Sequence, residues 1–399
     1  MENTLKVFII PSWYPTNKNP IAGIFFREQA VALAESHLEI KVFVSAIHLY
    51  QLTPRNLTET IKNIFKFILD STSESIVSSR LIEVKSVALS WTDKLFNGNL
   101  NRQFNIHERN FLRAINLFGG IDIIHAHSIS PGGYIAKLLS EKYKIPYVIT
   151  EHVRPDLFGV INGKVPLKTH QAIQNASAFF AVSPSLSKEI RQLGYKNVNY
   201  LPNMVNESIF KPKAFNTENG DFVFCTVSRM VSGKGIDDLL HAIHKVTKKN
   251  ENITFKIGGD GPKFQEFIRL ANQLGISNQI NWLGNLSREG VLSAIQDSHA
   301  FVLPSHYETF GVVYAEAIAC GKPIIATKCG GSECIVNKTN GVLINVSDVN
   351  ALADAINNVV DNIDNFDSTK IREDFLNRFS FKKVIGDLYE NYQRVINQG

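Results

Sequence analysis

The chain of 399 residues has only four cysteines, and no two stand as C-x-x-C. That scarcity gives no basis for a disulfide framework or a zinc site, so reduced, buried thiols are expected. No stretch reaches the roughly 18 consecutive apolar residues that a membrane-spanning helix needs. The opening MENTLKVFII lacks a basic leader and a small-residue cleavage site, so it reads as a first β-strand and a cytoplasmic setting is expected. Neither half places G-x-G-x-x-G after its first strand, which argues against a dinucleotide oxidoreductase. What remains is ordinary for a globular protein, 44% hydrophobic and 20% charged, with length for two or three domains.

Charge is divided unevenly. Residues 1–200 carry seven more Lys and Arg than Asp and Glu, whereas the remainder carries two fewer. A basic first half suits an anionic partner, and membrane headgroups, a lipid-linked pyrophosphate or an acidic glycan would all qualify. Solubility alone accounts for it equally well.

The most informative stretch is PSHYETFGVVYAEAIACGKPIIATKCGG, Pro304–Gly331. It follows an apolar strand (Ala300–Leu303) and opens a helix at Phe310-Gly311 that stops by Gly321. A second apolar strand (Pro323–Thr327) then makes a parallel βαβ unit. The loop and first helical turn lie at the carboxyl edge of that sheet, where open α/β sheets bind ligands. Free N–H groups around Phe310, Gly311 and Val312 can hold a phosphate. Glu308 and Glu316 would repel an anion, so they are expected to accept hydrogen bonds from hydroxyls on either side of it. Phosphate flanked by ribose and hexose is a nucleotide sugar. The plainer alternative has Glu308 capping the helix and Glu316 on a solvated face.

E-x-F-G with a second Glu, after PS and before G-x-P-I-I-A-T, resembles the retaining GT-B glycosyltransferases of family 4. The likeness extends along the chain. SRMVSGKG (from Ser228) is similar to the family's GRL…KG, with Ser228 where Gly is usual. Arg229 and Lys234 in it would neutralise a departing diphosphate, the first as a planar fork and the second as a point charge. GGDGP (Gly258–Pro262) matches the next marker, and there the resemblance implies that Gly259 lets backbone approach the nucleoside. PNMVNESIFKP resembles the hinge usually written PNGVD…F.P, with Met204 and Asn206 as departures. In HAHSISPGG, His127 matches the histidine expected to face the donor sugar, His125 reads as structural, and His152 could serve either role. In the long first loop, PSWYPTNKNPIAG, Gly23 matches a glycine that approaches the donor phosphates, although Ala22 replaces its usual glycine neighbour.

Alternating strands and helices in both halves predict two doubly wound Rossmann-like domains. The boundary is expected near 205–220, and the resemblance implies an acceptor domain over 1–205 and a nucleotide-sugar domain over 206–380. The resemblance implies that the last helix, about 381–399, packs back on the first. It also implies sugar transfer with retention from a UDP- or GDP-linked donor to a glycan or lipid-linked acceptor. No metal is expected, because H-A-H has the wrong spacing for a helical pair and protein cations can serve instead. An epimerase of similar fold and a non-catalytic sugar-nucleotide binder remain as alternatives. IKNIFKFIL (Ile61–Leu69) reads as an amphipathic helix, either packed in the core or touching an anionic membrane surface. Trp13 and Tyr14 are expected to be exposed. Residues 71–103 yield no reading.

Overall fold

The computed structural model describes residues 4–16, 21–53, 56–91, 99–158, 160, 164–215, 220–248 and 250–398. Parts of the first loop, of the linker KPKAFNTENGD and of the stretch 71–103 therefore lie outside the described residues. The chain separates into two compact units. One comprises Met1–Val182, Ser187–Leu201 and Ile385–Gly399, the other Ser183–Leu186 and Pro202–Val384.

In the first unit, β1 (Leu5–Pro11), α1 (Ile24–Glu35) and β2 (Ile40–Gln51) are followed by α2 (Leu57–Leu69), β3 (Ser73–Ser78) and β4 (Leu81–Ser90). Then come α3 (Leu100–Phe118), β5 (Ile123–His127), α4 (Tyr134–Tyr143), β6 (Tyr147–Glu151), α5 (Leu167–Gln174), β7 (Ala178–Ala181), α6 (Pro184–Gln192) and β8 (Asn199–Tyr200). The sheet order is β3-β4-β2-β1-β5-β6-β7-β8. Every neighbouring pair is parallel except β3–β4. The middle strands are near-continuous apolar runs with no exposed residue, as parallel strands covered on both faces must be. Strand order reverses between β1 and β5, so the loops leaving Pro11 and His127 diverge at that point.

The stretch 71–103 contains the β3–β4 hairpin and the start of α3, none of which the sequence reading foresaw. β2 is long, because β4 pairs with it as far as Gln51↔Ser90. Helix α2 exists, but its core reading fails. None of its residues is buried, and Leu57, Ile61, Phe65 and Ile68 are 71, 53, 62 and 67% exposed. The inward side is held by Asn63, which donates to the Gln51 carbonyl at 2.8 Å, and by the Phe67 ring against Tyr50. Tyr14 is buried, not exposed. Its hydroxyl donates to Glu83 Oε1 at 3.0 Å, and burial with that carboxylate pushes the phenol's pKa well up. Trp13 is half-buried against Phe26, ring centroids 5.0 Å apart.

The second unit runs β9 (Phe222–Val227), α7 (Ile236–Thr247), β10 (Ile253–Gly258), α8 (Phe264–Leu274), β11 (Ile280–Gly284), α9 (Arg288–Gln296) and β12 (Ala300–Leu303). It continues with α10 (Val312–Ala319), β13 (Ile324–Thr327), β14 (Gly341–Ile344), α11 (Val349–Asp361), α12 (Ser368–Arg378) and α13 (Phe381–Gln398). Its sheet is wholly parallel in the order β11-β10-β9-β12-β13-β14. Here the reversal falls between β9 and β12, which puts the loops after Val227 and Leu303 at the switch point. α13 opens where Glu207 accepts from the N–H of Phe381 at 2.8 Å. From Ile385 onward it belongs with the first unit, where Tyr392 is buried against His125.

Candidate active site

The two switch-point loops of the second unit are fastened together by short-range demands on the backbone. Gly235, with φ +64°, lies so close to β12 that a Cβ would stand 1.9 Å from the carbonyl oxygen of Pro304; only glycine lets the chains approach so nearly. The N–H of His306 donates to the Gly233 carbonyl at 2.8 Å. Lys234 is thereby delivered to Glu308, Nζ to Oε1 2.6 Å. Ser305 Oγ donates to the same carboxylate oxygen at 2.8 Å. The Glu308 backbone is strapped to the loop after β13 through its N–H to the Cys329 carbonyl and its carbonyl to the Gly331 N–H, at 3.1 and 2.7 Å.

Glu308 is therefore not a helix cap. Gly311 takes the N-cap of α10 with no side-chain hydrogen bond there, so first-turn N–H groups are left for a ligand. Phe310 is buried and packs edge-on to Phe379. Arg229 is exposed at the start of the neighbouring loop. That loop rests on GGDGP: Ser228 N–H donates to the Gly258 carbonyl and Met230 N–H to that of Asp260, at 3.1 and 3.0 Å. A Cβ on Gly259 would lie 1.8 Å from the Ser228 carbonyl oxygen. The glycine is thus required by contact between two stretches of this chain, a reason the sequence reading did not give it.

Glu316 is not on a solvated face either: it is 3% exposed and ion-paired with Arg288 at the start of α9. The Arg288 guanidinium also stacks over Phe210, 4.5 Å from the ring centroid. Sequence reasoning missed Arg288, since no spacing rule joins residues on two helices across an intervening strand. Asp237, Asp238 and His306 cluster beside the Lys234 loop, their candidate ligand atoms within 4.8 Å of one another. His306 Nε2 bonds Asp238 Oδ2 at 2.8 Å, and two acids in the first turn of α7 suit the helix dipole.

In the first unit His127 ends β5 at the switch point, paired in register with Pro11. Its ring stacks on Phe26 at 4.6 Å, and Nδ1 meets His152 Nε2 at 3.2 Å. Nε2 of His127 is buried and has no hydrogen-bond partner among the described residues. Burial and the neighbouring imidazoles hold His127 neutral, far below the usual histidine range. His125 is structural, bonded through Nδ1 to Tyr392 Oη at 2.6 Å and through Nε2 to Thr150 Oγ1 at 2.8 Å. Gly23 is the left-handed N-cap of α1 and abuts Trp13. Of the residues singled out in the sequence, Lys234 meets Glu308 directly, and Gly23 joins His127 through the Trp13–Phe26 stack. Glu316 pairs with Arg288 instead of another of these candidates.

The profile described as glycosyl transferases group 1 matches residues 207–374, and that of glycosyltransferase family 4 matches residues 83–208. The chain belongs to the group 1, family 4 glycosyltransferases. An uncharacterized glycosyltransferase of Methanocaldococcus jannaschii is 29% identical over 281 residues, 69% of this chain and 76% of that one. A putative teichuronic acid biosynthesis glycosyltransferase, TuaC of Bacillus subtilis, is 25% identical over 362 residues, 88% of each. Among solved structures, Anabaena HepE in complex with UDP superposes with a TM-score of 0.69 at 17% identity, covering 98% of this glycosyltransferase and 100% of HepE. The two parallel α/β units are thus those of the GT-B fold.

Proposed function

We propose that this glycosyltransferase moves a sugar from a UDP- or GDP-linked donor, with retention, to a glycan or lipid-linked acceptor in cell-surface polysaccharide or glycoconjugate synthesis. The observation that carries the reading is the Lys234–Glu308 pair at the sheet's switch point, beside the uncapped start of α10 and the exposed Arg229. As the anomeric carbon gains oxocarbenium character, negative charge grows on the leaving diphosphate. Lys234, Arg229 and the N–H groups at Phe310–Gly311 stabilise that charge by position, without proton transfer. Protein cations in that place take the role that a divalent metal would otherwise have. Glu308 accepts from the donor-sugar hydroxyls and Glu316 from the ribose. Family resemblance supports a role for Gly23 toward the donor phosphates and for His127, whose buried Nε2 has no partner among the described residues, toward the donor sugar. The same resemblance and the name of the Bacillus relative support retention and cell-surface synthesis respectively.

Membrane contact belongs to the same reading. Leu57, Ile61, Phe65 and Ile68 form an outward apolar stripe on α2, flanked by exposed Lys62 and Lys66, which is the pattern of a helix lying in an anionic interface. No helix among the described residues is long and apolar enough to cross a membrane. The deciding experiment incubates purified protein with a panel of nucleotide sugars, with and without candidate acceptors, and measures released nucleoside diphosphate. Acceptor-dependent release from one donor is expected. Donor conversion without any acceptor would instead indicate an epimerase, and binding without turnover a sensor.

A further inference from the structure

The end of β2 has no function in the first unit's central sheet. β1 stops at Pro11, but β2 continues through Ile47–Gln51 with only β4 beside it on the sheet among the described residues. This two-stranded extension projects at the sheet's carboxyl edge and carries a cavity of about 140 Å³. Thr16, His48, Tyr50, Asp70, Ser73 and Lys85 are among its lining residues. All six side chains are polar or carry a polar tip. The volume is that of four or five waters, too small for a disaccharide and sufficient for one charged substituent with a neighbouring hydroxyl.

The charges around it are unequally satisfied. Glu83 is buried and neutralised by Arg27, Nε to Oε1 2.8 Å, while the Tyr14 hydroxyl donates to the same oxygen. Asp70 accepts from the Tyr50 hydroxyl at 2.5 Å and from the N–H of Ser71 at 3.0 Å. Lys85 is the exception. Among the described residues its ammonium pairs only with Glu83, at 3.9 Å, beyond hydrogen-bond length, and the same carboxylate already serves Arg27. Its Nζ also lies 5.6 Å over the Tyr14 ring. A half-buried ammonium with one long ion pair therefore borders a polar cavity, and both carboxylates nearby are engaged elsewhere.

We propose that this cavity is a subsite for an oxyanion, a carboxylate or phosphate, carried on a polyhydroxylated acceptor, with Lys85 as its charge partner and the surrounding hydroxyls as hydrogen-bonding groups. The inference rests on the transferase reading for the word acceptor, but the site itself does not depend on that reading. It is linked to the switch point through one run of contacts: Lys85 over Tyr14, the adjacent Trp13 against Phe26, and Phe26 on His127.

Ligand-observed NMR titration of the full chain with D-glucuronate, D-glucose 6-phosphate and D-glucose tests it. At low salt one of the two anions binds roughly fivefold or more tightly than glucose, as a partly exposed charge-assisted contact allows, and the preference shrinks as salt rises. Whichever anion binds better identifies carboxylate or phosphate as the source. Lys85→Gln abolishes the preference and Lys85→Arg keeps it, with melting curves confirming that both are folded. Equal affinity of the wild type for all three compounds overturns the proposal without recourse to a variant, as does a preference unchanged in folded Lys85→Gln. Release of nucleoside diphosphate from the panel of nucleotide sugars in the presence of candidate acceptors is measured in parallel. Its absence in the wild type would sink the transferase reading and leave the oxyanion result standing, so the two failures are distinguishable.

Discussion

Replacing Lys234 by Ala separates structural from chemical consequences at the switch point. The side chains of Lys234 and Glu308 are 25 and 11% exposed, so the pair is shielded but not dry. Removing the lysine leaves Glu308 with the Ser305 hydroxyl, and a partly satisfied carboxylate of this kind costs about 1–2 kcal/mol of stability. A domain with ordinary stability stays folded after that loss. Losing one positioned charge from the transition state costs far more rate, on the order of 10²- to 10³-fold in kcat. The assay is nucleoside diphosphate release at saturating donor, with circular dichroism and thermal melting on the same samples. A double variant, Lys234→Met with Glu308→Gln, removes the unpaired charge; its melting temperature is expected to recover while turnover does not. Wild-type kcat in folded Lys234→Ala would refute the idea that this ammonium stabilises the leaving group.

Arg288→Gln should raise donor KM by roughly tenfold with little change in kcat, because Glu316 then loses the partner that aims it at the ribose; a change confined to kcat would contradict this. Activity should survive exhaustive treatment with EDTA, and loss restored by Mg²⁺ or Mn²⁺ would overturn the metal-free mechanism. Phe65→Glu combined with Ile61→Glu should abolish co-sedimentation with anionic vesicles at low salt without shifting the melting curve, since both side chains are exposed; no vesicle binding by the wild type would leave α2 without a membrane role. Acid should destabilise the first unit. Burial lowers the His107 and His125 pKa values from 6.5 to about 3, so between those values the unfolded chain binds more protons than the native one. Their stabilisation is complete above pH 6.5 and is lost as pH falls toward 3, about 2 kcal/mol for each by pH 5. Glu151, whose carboxyl is raised by burial, acts in the opposite direction and blunts the trend. A melting temperature unchanged between pH 7.5 and 5 would show that these imidazoles are not buried as described.

Much of the second unit was legible because its elements follow strict local rules. The strand Ala300–Leu303 was read from its apolar run with the bounds now observed, and the parallel crossover at Pro304–Gly331 follows from strand, helix and strand in close succession. What escaped notice depends on contacts distant in sequence. The β3–β4 hairpin is held by pairing with β2, some 40 residues away, and β3 has little apolar signal of its own because nearly all of it is exposed. Helix α2 shows the opposite failure. Its apolar spacing is that of a core helix, and the sequence could not reveal that no element among the described residues buries its outer face. Tyr14 was misread for a related reason: its hydroxyl turns inward to Glu83, 69 residues further along the chain.

The two glutamates show how the same limit affects function. As sequence they are two carboxylates with seven residues between them, and a cap with a solvated neighbour explained them adequately. Folding gives each a basic partner from a different element: Lys234 for Glu308 and Arg288 for Glu316. Neither pair is good evidence of a stabilising role, since desolvating carboxylates this shielded offsets much of the attraction. A carboxylate beside a diphosphate site would repel the ligand if left alone. Paired with a cation it keeps its hydrogen-bond acceptors for hydroxyls while its charge is offset. The same pairing holds Lys234 in position before any donor arrives, so little reorganisation is needed when the leaving group gains charge. If the pairs are there for that reason, conservative exchange should be costly at the first and tolerated at the second. Lys234→Arg, which replaces a point charge by a fork in a loop fixed by Gly235, should recover only part of kcat. Arg288→Lys, which needs only to keep Glu316 in place, should recover most of the donor KM. The reverse pattern would mean that Lys234 merely orients Glu308 and that Arg288 meets the donor itself.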